Sequence, residues 1–249
     1  MKRVWPLVAL GVGAYLVFAV ATLPASLLTS RLGPMGVNTA GVEGTVWKGR
    51  AQVVQVANSN FGSVRWDLHV LALLTARLQA DVELTRIDGF ARGVVTASPS
   101  GNVRLRNVTA SLPLSALPAG SLPRGWQGTL NLKLADLAVE KGWPTVIDGT
   151  VEAVDLVGPP RRPANIGSYK LTFPDPNAKT AEGLAGALVD TAGPLQITGT
   201  LLLKPDRSYQ LDTLIATRPT TPREIVDALQ ILGPPDAQGR RPYSQEGTM

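Results

Sequence analysis

The strongest constraint on the fold is an alternation of apolar and polar residues with a period of two. In residues 77–85, every second side chain is Leu, Ala or Val, and those between are polar or charged. This alternation is typical of a β-strand with one buried face. Residues 103–112 and 130–139 repeat it, each with one change of phase, at Arg106-Asn107 and Ala135-Asp136. Because a one-residue slip would turn the apolar face outward, we expect a β-bulge or strand bend at both places.

Glycine and proline separate these strand-like segments. A Gly-Thr-Val or Gly-Thr-Leu phrase recurs at residues 44–46, 128–130, 149–151 and 199–201. Glycine permits a turn or bulge, and the β-branched or aliphatic residues after it begin a strand. The irregular spacing of the phrase excludes a strict repeat. The sequence therefore predicts a mainly β fold, in which a meander of strands forms a curved antiparallel sheet.

Two short helices are expected beside the sheet. Residues 175–192 carry Ala and Leu at helical spacing, with two glycines that weaken the pattern. A sharper signal begins with Thr221 as N-cap, Pro222 at the first helical position and Glu224 in a capping box, and it ends at Gly233. Two helices are little cover for the apolar face of about ten strands. The sheet therefore either curls over a dry core or leaves an open apolar groove.

A long apolar segment opens the chain. Residues 4–23 contain no charged side chain, and about 20 helical residues span the hydrocarbon core of a bilayer. Lys2 and Arg3 precede the segment, so the positive-inside rule keeps the N-terminus cytoplasmic. Ala19-Val20-Ala21 has the form of a signal-peptidase site, which leaves a cleaved signal peptide as the alternative. The apolar run is longer than the core of a typical signal peptide, which favours an uncleaved anchor.

This reading divides the chain into four parts. Residues 1–3 are the cytoplasmic N-terminus, and residues 4–23 are a single-pass transmembrane anchor. Residues 24–40 are a linker, and residues 41–249 are one periplasmic β domain. The predicted location is therefore the cell inner membrane, with the main domain in the periplasm.

The residue inventory excludes several kinds of chemistry. Without cysteine the chain has no thiol catalysis, disulfide or cysteine-ligated metal. His69 is the only histidine, and its strand-like setting WDLHVL favours a surface or sheet-face residue. Asp81 and Glu83 share one strand face, and a solvated face explains them more simply than a paired-carboxylate site. We therefore expect no enzyme activity, no cofactor and no metal site.

The charge distribution argues against nucleic acid as a partner. The formal net charge is +5, but the cations are scattered and no basic cluster is interleaved with aromatic residues. Trp66, Trp126 and Trp143 stand at strand starts or turns, where we expect them in the core or at the lip of a groove.

Residues 41–50, GVEGTVWKGR, raise the question of a glycine-rich phosphate loop. The stretch lacks the Gly-Lys-Ser/Thr ending and the following helix of such a loop. We therefore predict Gly41 and Gly44 as turn residues and Thr45 to Trp47 as the start of a strand, with Trp47 in the core. Gly49 is predicted to mark a second turn or a bulge.

Two regions of the sequence resemble a known family. The segments GTVWKGRA (44–51) and FGSVRWDL (61–68) resemble the opening of type II secretion system protein N, also called general secretion pathway protein N. Residues 193–219 and 229–247 resemble its tail, in which a Leu-Gly step, an acidic residue, a Gly-Arg pair and a late glycine follow in order. The candidate structural or partner-binding residues are therefore Gly44, Thr45, Trp47, Gly49, Trp66, Leu232, Gly233, Asp236, Gly239, Arg240 and Gly247.

The resemblance implies an accessory inner-membrane protein that takes part in type II secretion from Gram-negative bacteria. Its partners would be other secretion components, among them the inner-membrane platform and the outer-membrane secretin. The family is also distantly similar to AsmA-like envelope proteins, whose curved sheets form an apolar groove for lipid. This similarity adds the acyl chains of phospholipid or lipopolysaccharide as candidate ligands. An envelope lipid-binding or lipid-transfer protein is thus the alternative, and a membrane-anchored periplasmic enzyme is the second alternative.

Overall fold

The computed structural model describes residues 15, 18–27, 33, 36–56, 59–117, 125–159, 165–173 and 183–248. In this part of the chain, thirteen strands form one sheet, and each strand pairs antiparallel with its neighbours in the sequence. The strands are β1 Val37–Gly44, β2 Lys48–Val56, β3 Ser59–Leu68, β4 Leu78–Arg86, β5 Gly89–Ala97, β6 Val103–Pro113, β7 Gln127–Glu140, β8 Trp143–Val157, β9 Asn165–Phe173, β10 Leu184–Ala192, β11 Leu195–Leu203, β12 Ser208–Thr217 and β13 Arg240–Thr248. The predicted mainly β fold with one antiparallel sheet is confirmed.

The register of the strands aligns one unbroken row of side chains on each face of the sheet. The row on the inner face is almost entirely apolar and consists of Val42, Ala51, Val64, Leu84, Ala91, Ala110, Leu132, Val151, Leu171, Leu188, Gly199, Thr213 and Tyr243. An adjacent residue of each strand lies on the outer face. This second row is Glu43, Arg50, Arg65, Glu83, Arg92, Thr109, Lys133, Thr150, Thr172, Ala187, Thr200, Asp212 and Ser244. Alternation along each strand thus gives the sheet one apolar and one polar face.

Both predicted changes of phase are irregularities in the strand pairing. On β7, Ala135 lies between the pairs that Leu134 and Asp136 make with β8, and the register shifts there. On β6, the register with β5 shifts at Asn107, whose φ is 52°. Asparagine tolerates this left-handed conformation better than most residues. Each bulge absorbs one residue, so the inner face stays apolar on both sides of it.

The predicted helix over residues 175–192 is wrong wherever the structure describes this range. Leu184–Ala192 is strand β10, which pairs with β9 on one side and β11 on the other. Residues 175–182 lie outside the described residues. Leu184 and Leu188 satisfy a period of four and also a period of two, and the alanines beside them are compatible with either face. Pairing with two neighbouring strands decides the conformation, because it satisfies the backbone groups of β10.

The second predicted helix is confirmed, with a different cap. Helix α1 comprises Arg223–Leu229 and continues as a 3₁₀ turn, which Gly233 ends with a φ of 92°. Pro222 is the N-cap, and no side chain caps the helix. The predicted capping box is therefore wrong. The Thr221 hydroxyl instead donates to the carbonyl oxygen of Pro194 at 2.5 Å, which attaches the start of α1 to the β10–β11 turn.

Most of the predicted membrane anchor, residues 4–23, lies outside the described residues. Tyr15 and residues 18–21 are helical, and the side chains of Tyr15 and Phe18 are largely exposed. In the described segments we find no helix with both the length and the apolar character needed to cross a membrane. Strand β1 begins at Val37, inside the range predicted as a linker.

The sheet is curved. Leu130 of β7 and Tyr243 of β13 line the same groove on the inner face, although six strand positions separate them. In a flat sheet, strands spaced about 4.8 Å apart would place these residues about 29 Å from each other. A core of Leu134, Ile147 and Phe173 lies within the curve. No large side chain among the described residues is fully buried, so the core leaves part of the inner face uncovered.

Candidate functional site

An apolar groove of about 660 Å³ follows the inner face of the C-terminal half of the sheet. Strands β7 to β13 supply most of its lining, and the segment after β6 adds two leucines. The lining residues are Leu114, Leu117, Trp126, Leu130, Ala153, Leu156, Ile166, Tyr169, Leu188, Leu195, Ile197, Leu211, Thr213, Ile215 and Tyr243. Of the two alternatives that the sequence leaves open, the described residues show an open groove.

The tryptophans fall in three different places. Trp126 lines the groove, as predicted for a lip residue, and Trp143 is buried at the start of β8. Trp66 lies on the inner face of β3 and donates from its indole Nε1 to the carbonyl oxygen of Val46 at 3.1 Å. Only one of the three therefore contributes to the groove.

A polar network borders the groove beside Tyr169. Asp190 is buried, pairs with the Arg218 guanidinium and accepts a 2.8 Å hydrogen bond from the backbone N–H of Ile197. The Tyr169 hydroxyl donates to the carbonyl oxygen of Ile166. Burial, followed by the nearby Asp190 carboxylate, raises the pKa of Tyr169. Because every member has a partner, the network adds no unsatisfied polar group to the apolar lining.

The first group of candidate motif residues consists of Gly44, Thr45, Trp47, Gly49 and Trp66, and it lies in and beside the β1–β2 connection. Gly41 lies within β1, and residues 45–47 form the turn, so the predicted turn at Gly41 and strand start at Thr45 are wrong. Gly44 ends β1 with a φ of 93°, as expected of a turn residue. Trp47 is half-buried, which contradicts its prediction as a core residue.

Trp47 instead attaches the N-terminal segment to the sheet. Its indole Nε1 donates a 2.8 Å hydrogen bond to the carbonyl oxygen of Val20. The backbone N–H of Val46 donates to the carbonyl oxygen of Leu23 at 2.9 Å, and the backbone N–H of Ala25 donates to the carbonyl oxygen of Gly44 at 3.1 Å. The β1–β2 turn is therefore the docking point of residues 20–25.

Two of the motif glycines lie beneath an aromatic ring on the inner face. Gly49 of β2 pairs with Trp66, and a Cβ at Gly49 would lie 2.5 Å from the indole ring. Gly247 of β13 pairs with Tyr209, and a Cβ there would lie 2.7 Å from the phenol ring. Glycine is required at both positions because only hydrogen fits beneath the ring. Gly49 thus lies within a strand, where the sequence predicts a turn or bulge.

The second group of candidate motif residues, from Leu232 to Gly247, lies in the connection from α1 to β13 and in β13 itself. Asp236 accepts from the backbone N–H groups of Gln238 and Arg240 at 2.9 and 2.8 Å and from Arg240 Nε at 3.0 Å. The hydrogen bond from the Arg240 backbone is the largest cause of a lowered Asp236 pKa. Gly239 completes the turn with a φ of 76°, and Leu232 packs against the buried side of α1. These residues therefore position the last strand.

The two motif groups do not meet at one site. One lies in β1 to β3 and the other around β12 and β13, at opposite ends of the strand order. None of the eleven motif residues lines the groove. The sequence predicted an open groove as one of two alternatives and placed Trp126 in the core or at the lip of a groove, but it did not indicate the other lining residues. The alternation predicts inward side chains without showing which strands converge.

The candidates for acid–base chemistry lie on the polar surface. His69 follows β3 at the start of a 3₁₀ turn, so its strand prediction is wrong and its surface prediction is confirmed. Its Nε2 lies 2.8 Å from an Asp81 carboxylate oxygen, and its Nδ1 lies 3.2 Å from Gln79 Nε2. Glu83 pairs instead with Arg65 at 3.9 Å. Each carboxylate thus has its own partner, and the two do not converge on one point.

Comparison with known proteins decides the family. Residues 35–244 match the family model described as type II secretion system (T2SS), protein N. The chain belongs to this family. The match contains every motif residue from Gly44 to Arg240, and it ends before Gly247. Membership links the chain to type II secretion, and the family resemblance inferred from the sequence is confirmed.

Three relatives carry the name type II secretion system protein N. The chain is 28% identical over 256 residues to the Aeromonas hydrophila protein, and the alignment covers 99% of each chain. It is 28% identical over 241 residues to the Vibrio cholerae serotype O1 protein, covering 92% of each. It is 24% identical to the Pectobacterium carotovorum protein, covering 95% of this chain and 94% of that protein. No solved structure matches the chain.

Proposed function

We propose that the chain is an accessory inner-membrane component of the type II secretion system. Residues 4–23 anchor it, and the sheet lies in the periplasm, where it contacts other secretion subunits during export of folded proteins. Family membership supports a role in secretion. The docking of residues 20–25 onto the β1–β2 turn supports the proposal that the sheet lies close to the membrane anchor.

This docking fixes the distance between the anchor and the sheet. The last carbonyl groups of a helix have no partner within the helix. The carbonyl oxygen of Val20 accepts a 3.3 Å hydrogen bond from the Leu23 N–H and a shorter one, of 2.8 Å, from the Trp47 indole N–H, and Pro24 forms a bridge with Thr45. A sheet held this closely to the end of a transmembrane helix stays beside the membrane surface, within reach of the secretion machinery there.

The edges of the sheet suggest how a partner binds. Within the described residues, β1 and β13 each pair with one neighbouring strand. Strand β13 contains Pro242, two arginines and Glu246, which protect an edge against further pairing. Strand β1 has no proline and a single charged residue, Glu43. The edge of β1 is therefore the better acceptor for an extended segment of a secretion subunit.

Site-specific photocrosslinking in secreting cells tests the contact. A photoreactive amino acid replaces Asn38 in β1 or, as the matched control, Gln245 in β13, since both residues are polar and exposed edge-strand positions. We expect crosslinks from position 38 to a platform subunit or to the secretin, and few from position 245. Crosslinks from neither position in cells that secrete normally would contradict the proposed contact.

The mass of the protein extracted from membranes tests the anchor. An uncleaved anchor leaves residues 1–21 on the protein, which then partitions with the inner membrane. Cleavage after Ala21 would remove the carbonyl group that Trp47 binds and release the sheet into the soluble periplasmic fraction. That result would contradict the anchor and leave the role in secretion to be judged by crosslinking alone.

The groove supports a second function, the binding of envelope lipid. An open apolar surface on a folded protein marks a site for a partner or ligand. The lining of the groove is apolar along its length, and its volume lies within the range of ligand pockets. Both functions are compatible, because the groove and the β1 edge lie in different parts of the sheet.

A further inference from the structure

We propose that the groove holds one acyl chain of a phospholipid and that Arg241 binds the phosphate of its head group. The inference rests on the second function proposed above and deepens it by assigning a ligand class and a head-group residue. It combines two independent observations, the apolar lining of the groove and a cation without a partner on the same face.

The lining of the groove matches a hydrocarbon chain. Its side chains are Leu, Ile, Ala, Thr and aromatic residues. The three hydroxyls on its strands all have acceptors: Thr213 donates to the carbonyl oxygen of Tyr243 at 3.1 Å, Tyr243 donates to Gln245 Oε1 at 2.9 Å, and Tyr169 donates to the carbonyl oxygen of Ile166. The described strands of the groove therefore offer no unpartnered hydroxyl to a polar ligand. A saturated chain loses no hydrogen bonds when it enters such a site, and each buried methylene strengthens binding about fourfold.

Arg241 supplies the charge at the rim. It pairs across the strands with Ile215 and stands two residues before Tyr243, and both of these residues line the groove. Cross-strand partners share a face, so the guanidinium starts from the inner face beside the apolar lining. Arg241 is half-buried, and its guanidinium makes no hydrogen bond or ion pair with any other described residue.

A half-buried arginine without a partner is unusual, since arginine is rarely removed from water unless it is paired. Two of the other charged groups at this end of the groove already have partners. Arg218 pairs with Asp190, and Arg240 pairs with Asp236 on the opposite face of the sheet. Helix α1 packs on Leu195, Ile197 and Ile215 at this end, and its charged residues Arg223, Glu224 and Asp227 are exposed. Arg241 is therefore the half-buried cation of the inner face that, among the described residues around the groove, remains available for an anion. The planar guanidinium matches the oxygens of a phosphate in geometry as well as charge.

The arrangement therefore fits a molecule with an apolar chain and an anionic head joined at one end. A phospholipid of the adjacent membrane has this form. A free fatty acid or a segment of the chain itself would fill the groove differently, and the experiment below separates these occupants.

Photolabelling of the full-length protein in detergent micelles tests the proposal. The probe is phosphatidylglycerol with a diazirine on one acyl chain, and the control probe is diacylglycerol with the same chain and no phosphate. After irradiation, labelled peptides are mapped by mass spectrometry. We expect phosphatidylglycerol to label peptides from Leu195–Leu203 and Ser208–Thr217, the strands that form the floor of the groove.

Two pairs of variants separate the chain from the head group. Ala153→Phe fills the groove, whereas Ala187→Phe adds the same ring to the exposed outer face. Arg241→Gln removes the head-group partner, whereas Arg92→Gln removes an exposed arginine from the outer face. We expect Ala153→Phe to abolish labelling of the groove by both probes. Arg241→Gln should weaken labelling by phosphatidylglycerol about tenfold, as expected for loss of a charged hydrogen bond, and leave diacylglycerol unchanged.

Several results would overturn the proposal. Labelling confined to residues 4–23 would mean that the probe meets only the anchor. An unlabelled groove in the wild-type protein that becomes labelled once residues 118–124 are replaced by Gly and Ser would make that segment the occupant. Stronger groove labelling by diazirine palmitate than by phosphatidylglycerol would make a fatty acid the ligand. If Ala153→Phe does not fold, the Arg241→Gln comparison still decides, since Arg241 lies on an edge strand.

The readout is labelling of the groove and not secretion. Failure of this experiment therefore leaves the crosslinking of β1 to secretion subunits untouched. Loss of those crosslinks with an intact groove would, conversely, contradict the secretion contact and leave lipid binding in place.

Discussion

The indole Nε1 of Trp47 donates a 2.8 Å hydrogen bond to the carbonyl oxygen of Val20, which lies 27 residues earlier in the chain. This bond joins the end of the N-terminal helical segment to the first turn of the sheet. Two backbone hydrogen bonds and the bridge between Pro24 and Thr45 reinforce it. The GTVWKG motif thus attaches residues 20–25 to the β domain.

Replacement of Trp47 by Phe should loosen this coupling without unfolding the sheet. The ring is retained and one hydrogen bond is lost, which costs about 1 kcal/mol locally. Hydrogen exchange should show faster exchange at the amides of Ala25 and Val46, with unchanged exchange in β7 and β8. Trp143→Phe is the control and should leave the amides of residues 20–25 as they are. Unchanged protection of these amides in Trp47→Phe would contradict the docking role.

The same substitution should change the free energy of unfolding by very different amounts at two adjacent residues of β7. Leu134 is 6% exposed in the core, whereas Lys133 is exposed on the outer face. Leu134→Asp would bury an unpaired carboxylate and should cost several kcal/mol. Lys133→Asp should change the free energy of unfolding by less than about 0.5 kcal/mol. Urea denaturation measures both, and equal effects would show that the inner and outer faces are misassigned.

The ion pair between Arg104 of β6 and Asp136 of β7 predicts a small acid-dependent loss of stability. The hydrogen bond from Arg104 is the largest cause that lowers the Asp136 pKa below its ordinary value of 3.8. A carboxyl group with a lowered folded-state pKa contributes its full stabilisation above the ordinary value, and the contribution is lost as the pH falls through the folded-state pKa.

Arg104→Gln should remove this contribution, which is about 0.5 to 1 kcal/mol because both side chains remain partly exposed. Urea denaturation from about pH 6 downward should therefore show the variant less stable near neutral pH, with the difference decreasing as the pH falls below 3.8. Arg92→Gln, on the same face and without an ion pair in the described residues, should follow the wild-type profile. A difference that persists unchanged at the acid end would contradict the assignment to Asp136.

Gly49 should not tolerate even alanine. The new Cβ would meet the Trp66 ring, and overpacking of this kind costs about 1 to 3 kcal/mol. Gly33→Ala is the matched control, since no atom lies within 4 Å of a Cβ at that position. The double variant Gly49→Ala, Trp66→Leu should recover part of the loss, because the smaller side chain gives the methyl group space. Additive effects in thermal denaturation would show that the indole is not the cause.

Local pattern accounts for what could be predicted of the sheet. Residues 77–85 alternate without interruption and form β4, and the two phase changes are bulges, because a buried face tolerates no slip in register. The helix after Pro222 also followed from a local signal, since proline and glycine restrict the backbone at its two ends. Residues 184–192 show the limit of such signals: leucine at every fourth position satisfies both periods, and only the neighbouring strands decide between them.

The amino-acid sequence by itself determined the resemblance to the family, the mainly β fold and the division into an apolar and a polar face, because these depend on neighbouring residues and on backbone sterics. Only the tertiary structure decided that β7 to β13 curve around one groove, that Arg241 stands unpaired at its rim and that Trp47 reaches Val20. Curvature is the sum of small twists and bulges over many strands, and no single segment encodes it. Contacts between distant residues arise only once that sum places them together.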